Sequence, residues 1–386
     1  MPETDRPARS AAALSEQFPS LEQGLYLNHA AIAPWPRCAA EALQRFAEEN
    51  LRQGAAAYAA WIRRENALRQ ALARLVGAHS DDTIALLKNT TEGISTVAWG
   101  LDWRAGDNIV LPLGEFASNR LPWLAQAAKG VEIREVDIRS TRDAEAALID
   151  AMDSRTRLLS VSAVQWCDGF RLDLGRLGDG CHRRRVLFFV DAIQQLGALP
   201  VDVESCRIDF LAADAHKWLL GPEGIAVFYS ADDARNQLAL QQQGWHMFDD
   251  PWNFQRRDWT PADSARRFEA GSPNSAGQAA LHASVGLLLD HGMDSVARRV
   301  LENSEFLIGR LGEMPGLRVV SRLEPERRSG IVSFCSDAMP AGEIHRRLRE
   351  RGCTCAVRES SVRISPHFYQ DESVLDAFVE HLGDIL

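Results

Sequence analysis

The middle of the chain alternates apolar runs with polar breaks. "TIALLKNTTEGISTVAWGL" (83–101) predicts a strand, a polar turn and a helix. "NIVLPLGEFASN" (108–119), "TRLLSVSAVQWCDG" (156–169) and "IDFLAADAHK" (208–217) each predict a strand running into a loop. "RRVLFFVDAIQQLG" (184–197) predicts a strand and then a helix start, and "GIAVFYS" (224–230) another strand. Strands buried on both faces of a parallel sheet read as unbroken apolar runs, and these do. Upstream, Leu68, Ala71, Leu72 and Leu75 recur at helical spacing inside an Ala-, Leu-, Arg- and Glu-rich stretch from Cys38 to Val76. Such alternation predicts an open α/β sheet.

The texture changes on either side. Residues 1–20 read as a loose lead-in or short helix, and "GLYLNHAAIAPWP" (24–36) as a short strand entering a Pro-bounded loop. "GWHMFDDPWNFQRRDW" (244–259) has neither helical nor strand period. "SAGQAALHASVGLLLDHGM" (275–293) predicts a helix, and a compact α+β piece follows it. The expected division is an N-terminal segment, 1–25, packing with a small C-terminal domain, 280–386, around a large domain, 26–279.

Composition narrows the partners. The chain has 386 residues, 46% of them hydrophobic, enough for a large core. A formal net charge of -10 disfavours nucleic acid, whose phosphates need a basic face. The seven cysteines are dispersed without a CxxC pair, which suits a reducing cytoplasm and offers no metal-ligand spacing. No signal peptide or membrane span is expected, because no long apolar segment occurs.

In an open α/β sheet, ligands bind beyond the carboxyl ends of the strands, so the residues there matter most. "NTTEG" offers helix-start N–H groups and the Thr90 and Thr91 hydroxyls to a phosphate, or simply a capping motif. Glu115-Phe116 and Gln165-Trp166 end two more strands. Asp191 follows "VLFFV" as an acid for a buried cation, or as a helix cap. Lys217 is either a snorkelling lysine or a desolvated amine able to form a Schiff base. Together a phosphate cradle, a stacking ring, an acid and a lysine 26 positions after it match pyridoxal phosphate.

With these motifs in order, the sequence resembles the class V aminotransferase family of fold-type I pyridoxal-phosphate enzymes. That superfamily includes cysteine desulfurases, isopenicillin-N epimerase and kynureninase. The stretches that carry the likeness include "YLNHAAIAP", "NTTEG", "EFASNRLPW", "VDAIQQLGALPVDV", "DFLAADAHKWLLGPEG", "RFEAGSPN" and "VRISPHFY". The resemblance implies a large domain with a mainly parallel seven-stranded sheet, a smaller α+β domain, and a homodimer with shared sites. It implies that Lys217 holds the cofactor aldehyde and that Asp191 keeps the pyridine nitrogen protonated. Gln194 would bond the ring's phenolic oxygen, with Gln165 also at the cofactor. Phe116 would stack on the ring, where many relatives keep a histidine. Thr90, Thr91 and His216 would serve the phosphate, with Ser272 reaching that of the neighbouring subunit. Arg363 would clamp the carboxylate of a small amino-acid substrate, near Asn28, His29 and Ala30.

Three departures stand out. Asp214 occupies a position where the family often has a phosphate-binding hydroxyl, so it points away or pairs with a base. Only "ESSV" separates Arg358 from Arg363, with no cysteine where desulfurases carry their nucleophile. Cys353 and Cys355 read as strand residues. The Trp-rich stretch, with Trp245, Trp252 and Trp259, either walls a pocket or interface or is ordinary loop packing. The expected activity is amino-acid transamination, with a C–S or β-eliminating lyase or an epimerase as the alternative. A cofactor-free binding protein is disfavoured because both Lys217 and Asp191 are present.

Overall fold

The computed structural model describes residues 11–386, so the first part of the expected N-terminal segment lies outside the described residues. Strand β1 (Leu25–Tyr26) stands apart from the central sheet. The next seven are β2 (Ile84–Leu87), β3 (Asn108–Pro112), β4 (Glu132–Val136), β5 (Thr156–Ser162), β6 (Leu187–Asp191), β7 (Phe210–Asp214) and β8 (Ala226–Ser230). They form one sheet in the order β2-β8-β7-β6-β5-β3-β4. Only β8 runs against its neighbours; the other pairings are parallel. The expected mainly parallel seven-stranded sheet is what the chain forms.

Both sheet faces are buried, which explains the unbroken apolar runs. Along β6, Phe188 and Val190 join one core and Phe189 the opposite one. Phe210 and Phe228 stack with centroids 6.3 Å apart on the second face, where Phe189 and Trp123 also pack. Each such fully buried ring contributes about 1.5–3 kcal/mol of transfer free energy. β4 was not among the expected strands. It is an edge strand, exposed to half-buried throughout, so it carries no apolar run.

The C-terminal part is α+β, as expected. It holds β9 (Leu317–Val319), β10 (Val332–Ser336), β11 (Cys353–Thr354), β12 (Ala356–Arg358) and β13 (Ser361–Ile364). Four of these make an antiparallel sheet in the order β12-β13-β10-β9. Leu307, Phe334, Ile344 and Phe378 fill its own core beneath three helices. β1 pairs in parallel with β11, Leu25 opposite Cys353. The helix Ser275–His291 runs unbroken through residues 279 and 280, and its Leu281, Val285 and Leu288 belong to the large sheet's core. Among the described residues, no helix is long and apolar enough to cross a membrane.

Candidate active site

The parallel strands all point their carboxyl ends to one edge, and a cavity of about 260 Å³ opens there. Its lining includes Thr90 and Thr91 after β2, Phe116 after β3, and Trp166 after β5. Asp191 ends β6, Asp214 ends β7, and His216 and Lys217 follow. Ala30, Gln194, Arg358 and Arg363 complete the wall.

Local geometry decides several of the sequence ambiguities. Asn89 caps the helix Thr90–Gly100, its side chain accepting from the Glu92 N–H at 2.9 Å. The capping task therefore leaves Thr90 free: its buried Oγ1 has no hydrogen-bond partner. Gly93 lets this helix start lie close to the sheet, since a Cβ there would sit 2.9 Å from Ala212 Cβ. Asp191 is no helix cap, because residues 193–198 form turns rather than the expected helix start. One of its oxygens accepts the Ile193 N–H at 3.0 Å. Gln194 accepts from Trp218 Nε1 at 2.9 Å and donates to the Ala30 carbonyl at 3.0 Å, which leaves one amide N–H uncommitted.

Lys217 is placed by a tight turn, with the Leu220 N–H donating to its carbonyl at 3.0 Å. Leu220 sits at φ 58°, a left-handed conformation that costs a non-glycine residue roughly 1–2 kcal/mol. The sharp turn thus begins before the Gly-Pro pair. Lys217 Nζ lies 5.8 Å from the centroid of the Phe116 ring. Burial pushes the amine down, to about 8, although Asp191 opposes the shift. Burial also pushes the Asp191 carboxyl up, to about 7, with Glu115 adding repulsion. The site therefore holds an amine and an acid near neutrality, a pattern typical of functional sites.

Arg363 is 1% exposed, yet only its Nη1 is engaged, donating to the Trp166 carbonyl at 2.5 Å. Its Nε and Nη2 have no partner. Burial, and then repulsion from Arg358, push this guanidinium down, to about 9. β12 and β13 form a hairpin that pairs Ala356 with Arg363 and Arg358 with Ser361. That register puts both arginines on one face.

Other expected residues lie elsewhere. Gln165 is buried behind the wall, donating to Glu115 at 3.0 Å, and its neighbour Trp166 faces the cavity instead. His29 is fully buried, with Nδ1 2.8 Å from the Ser365 carbonyl and Nε2 2.6 Å from the Tyr369 hydroxyl. Burial pushes it down, to about 4, so it is a neutral packing residue. Asn28 likewise does not line the cavity; of residues 28–30, only Ala30 does. Ser272 lines a separate hollow with Lys88 and Asn274. Asp214 keeps to the cavity wall, and its Oδ1 lies 3.1 Å from His216 Nδ1 without the alignment of a hydrogen bond. Arg358 was read only as a spacing marker; the hairpin register that aims it inward is invisible in spacing alone.

The Trp-rich stretch does not reach this cavity. Trp252 packs edge-on against Tyr58 at 5.4 Å and against Trp245 at 5.3 Å. Beneath it, buried Glu65, His246 and Glu269 have a spacing that a metal ion would accept. Arg69 already pairs with both acids, so their charge is answered within the protein.

The donors fit pyridoxal phosphate. Thr90 and Arg363, each with buried polar atoms that have no partner, line one cavity with His216, a desolvated lysine and a strand-end acid. Comparison with known proteins agrees. The family described as Aminotransferase class-V matches residues 25–378. A probable cysteine desulfurase of Methanothermobacter thermautotrophicus is 30% identical over 95% of this chain and 96% of its own. A mutant of C-DES with glycine covalently linked to its PLP cofactor superposes with a TM-score of 0.91 at 27% identity, covering 96% of this chain and 99% of that one. The cystine C–S lyase C-DES in complex with its reaction product cysteine persulfide gives 0.90 at 27% identity, covering 96% and 100%. These names suit the expected C–S lyase alternative better than transamination. The chain belongs to the class V aminotransferase family of pyridoxal-phosphate enzymes.

Proposed function

We propose that the chain is a C–S lyase that removes sulfur from the β-carbon of a cysteine-type amino acid, cystine or cysteine, without a cysteine nucleophile. The observation that carries this is the hairpin between the two cavity arginines. Only Glu359 and Ser360 separate β12 from β13, so no loop exists there to bring a thiol over the substrate. Cys353 and Cys355 are buried strand neighbours, and burial pushes their thiols up, to about 11 and about 12. Cys167, behind Trp166, is also pushed up to about 12. The thiolate is the nucleophile, so such groups are poor ones. The names of the sulfur-handling relatives support the substrate class.

When bound, pyridoxal phosphate supplies an electron sink for the substrate's α-carbon. Thr90, Thr91 and His216 would hold its phosphate, Asp191 a proton on the ring nitrogen, and Gln194 the phenolic oxygen through its remaining N–H. Arg363 would take the substrate carboxylate on its two open N–H positions, with Arg358 beside it. Lys217 Nζ would accept the α-proton and deliver it to the departing sulfur. Its lowered proton affinity suits a base working near neutral pH. Phe116 would cover the ring and exclude water, leaving the acid–base work to Lys217 because a phenyl group cannot titrate. We propose a homodimer in which Ser272 serves the neighbouring site, since it lines a hollow separate from the Lys217 cavity.

The test is an amino-acid panel scored for 2-oxo acid and ammonia, with and without an added amino acceptor. Elimination gives both products from cystine or cysteine without the acceptor. Dependence on the acceptor would return the enzyme to transamination.

A further inference from the structure

Arg139 stands outside the cavity, in the loop after β4, yet it touches both walls that hold the cavity arginines. Its Nη1 donates to both Glu359 oxygens, at 3.2 and 3.1 Å, and its Nη2 reaches the same carboxylate at 3.3 Å. The same Nη2 also meets Cys167 Sγ, and Nε lies 3.6 Å from Asp168 Oδ2. Glu359 directly follows Arg358 at the hairpin turn. Trp166 directly precedes Cys167, and its carbonyl holds Arg363. The contacts therefore close a ring: Arg358, Glu359, Arg139, Cys167-Asp168, Trp166, Arg363.

Backbone strain makes the choice of residue at 359 informative. Glu359 sits at φ 51°, in the left-handed region, as the first residue of a two-residue hairpin turn. Glycine is the strain-free choice there, and a glutamate is not. Strain kept at a site beside a binding surface points to a task for the side chain. The task is visible, since the carboxylate is what Arg139 grips. The ion pair itself is half-exposed on both sides, where such pairs add little to global stability. Its worth lies in fixing the turn. Arg358 and Arg363 are like charges on one face and repel; burial first, and then this repulsion, lower the proton affinity of Arg363. β13 is held along its length by β10, Ser333 opposite Arg363, so what the contact fixes is the edge strand β12 and the turn beside Arg358.

We infer that Arg139 and Glu359 are positioning residues, which latch the arginine-bearing hairpin to the segment after β5 so that both guanidinium groups meet the substrate carboxylate end. This rests on the proposed substrate-clamping role of Arg363. The same segment is where the small sheet docks: Ser333 Oγ donates to the Cys167 carbonyl at 2.6 Å. Gly169, at φ 77°, lets Ile331 approach, because a Cβ there would meet its carbonyl oxygen at 2.6 Å. Arg139 thus extends an existing seam to the hairpin tip.

The experiment measures KM, kcat and Tm of the holoenzyme with cystine for Glu359→Gly, Arg139→Met, Arg139→Lys and Arg363→Lys. The expected result is KM raised threefold or more in Glu359→Gly and Arg139→Met, with kcat moving less. Arg139→Lys should recover part of the loss, and Tm should stay level or rise in Glu359→Gly. A purely structural turn predicts the opposite, namely that glycine at 359 relieves strain and leaves KM alone. Unchanged KM in Glu359→Gly and Arg139→Met, with KM raised in Arg363→Lys, overturns the latch alone. Unchanged KM in Arg363→Lys overturns the clamp reading and the latch with it.

Discussion

Replacing Arg363 by methionine should move stability and catalysis in opposite directions. The side chain is 1% exposed, and its Nε and Nη2 have no partner until a carboxylate arrives. Each buried, unsatisfied polar group costs about 1–3 kcal/mol. Methionine is of similar length, apolar and adaptable, so it removes those penalties. It gives up one charged hydrogen bond, that to Trp166, worth about 1.5–3 kcal/mol. The balance favours the variant by roughly 1–3 kcal/mol in the substrate-free protein. At about 2.1 cal/mol/K per residue over 386 residues, that raises Tm by roughly 1–4 °C. Catalysis loses two charge-assisted hydrogen bonds to the substrate, together about 3–6 kcal/mol, which is roughly 10²–10⁴-fold in kcat/KM. Differential scanning calorimetry of the substrate-free protein and initial rates on cystine read the two effects. A Tm lowered by several degrees, or kcat/KM within tenfold of wild type, would refute the reasoning.

Other outcomes follow from the same geometry. Lys217→Met should flatten the pH dependence of apoprotein stability between about pH 8 and 10. There the unfolded lysine, with a pKa of about 10.4, binds a proton that the buried amine has lost, so wild-type stability rises with pH in chemical denaturation. His29→Phe should cost about 2–3 kcal/mol in the same assay, because the ring fills a buried site between Ser365 and Tyr369. Its KM for cystine should stay within about threefold, since it does not line the cavity. Phe116→Ala should weaken retention of pyridoxal phosphate by roughly tenfold in equilibrium dialysis, the scale of about 1–1.5 kcal/mol for a lost ring stack.

Much of the site was legible because buried parallel strands leave a simple trace: an apolar run and then the polar group it delivers. Lys217, Asp191, Thr90 and Phe116, read that way, line one cavity. The reading failed where the outcome depends on which of two neighbouring side chains a turn aims inward. Gln165 and Trp166 exchange places for this reason, and of the expected Asn28, His29 and Ala30 only Ala30 lines the cavity. Composition does not encode that choice; the hydrogen bonds of the turn make it, such as the Gln165 N–H donating to the Phe170 carbonyl at 2.9 Å. Arg358 was missed because its direction comes from pairing with Ser361 across a hairpin. β4 was missed because an edge strand need not be apolar. Asp214 changed from a puzzle at a phosphate position to a wall residue beside His216, with the base that the sequence reading allowed for.

The most direct measurement is product accounting from cystine by the purified holoenzyme, without an amino acceptor or a sulfur acceptor. Elimination predicts pyruvate and ammonia in equal amounts, with cysteine persulfide as the third product, and none of these from Lys217→Ala. Alanine in place of pyruvate would mean that sulfur leaves by transfer to a thiol, and would contradict the proposed chemistry.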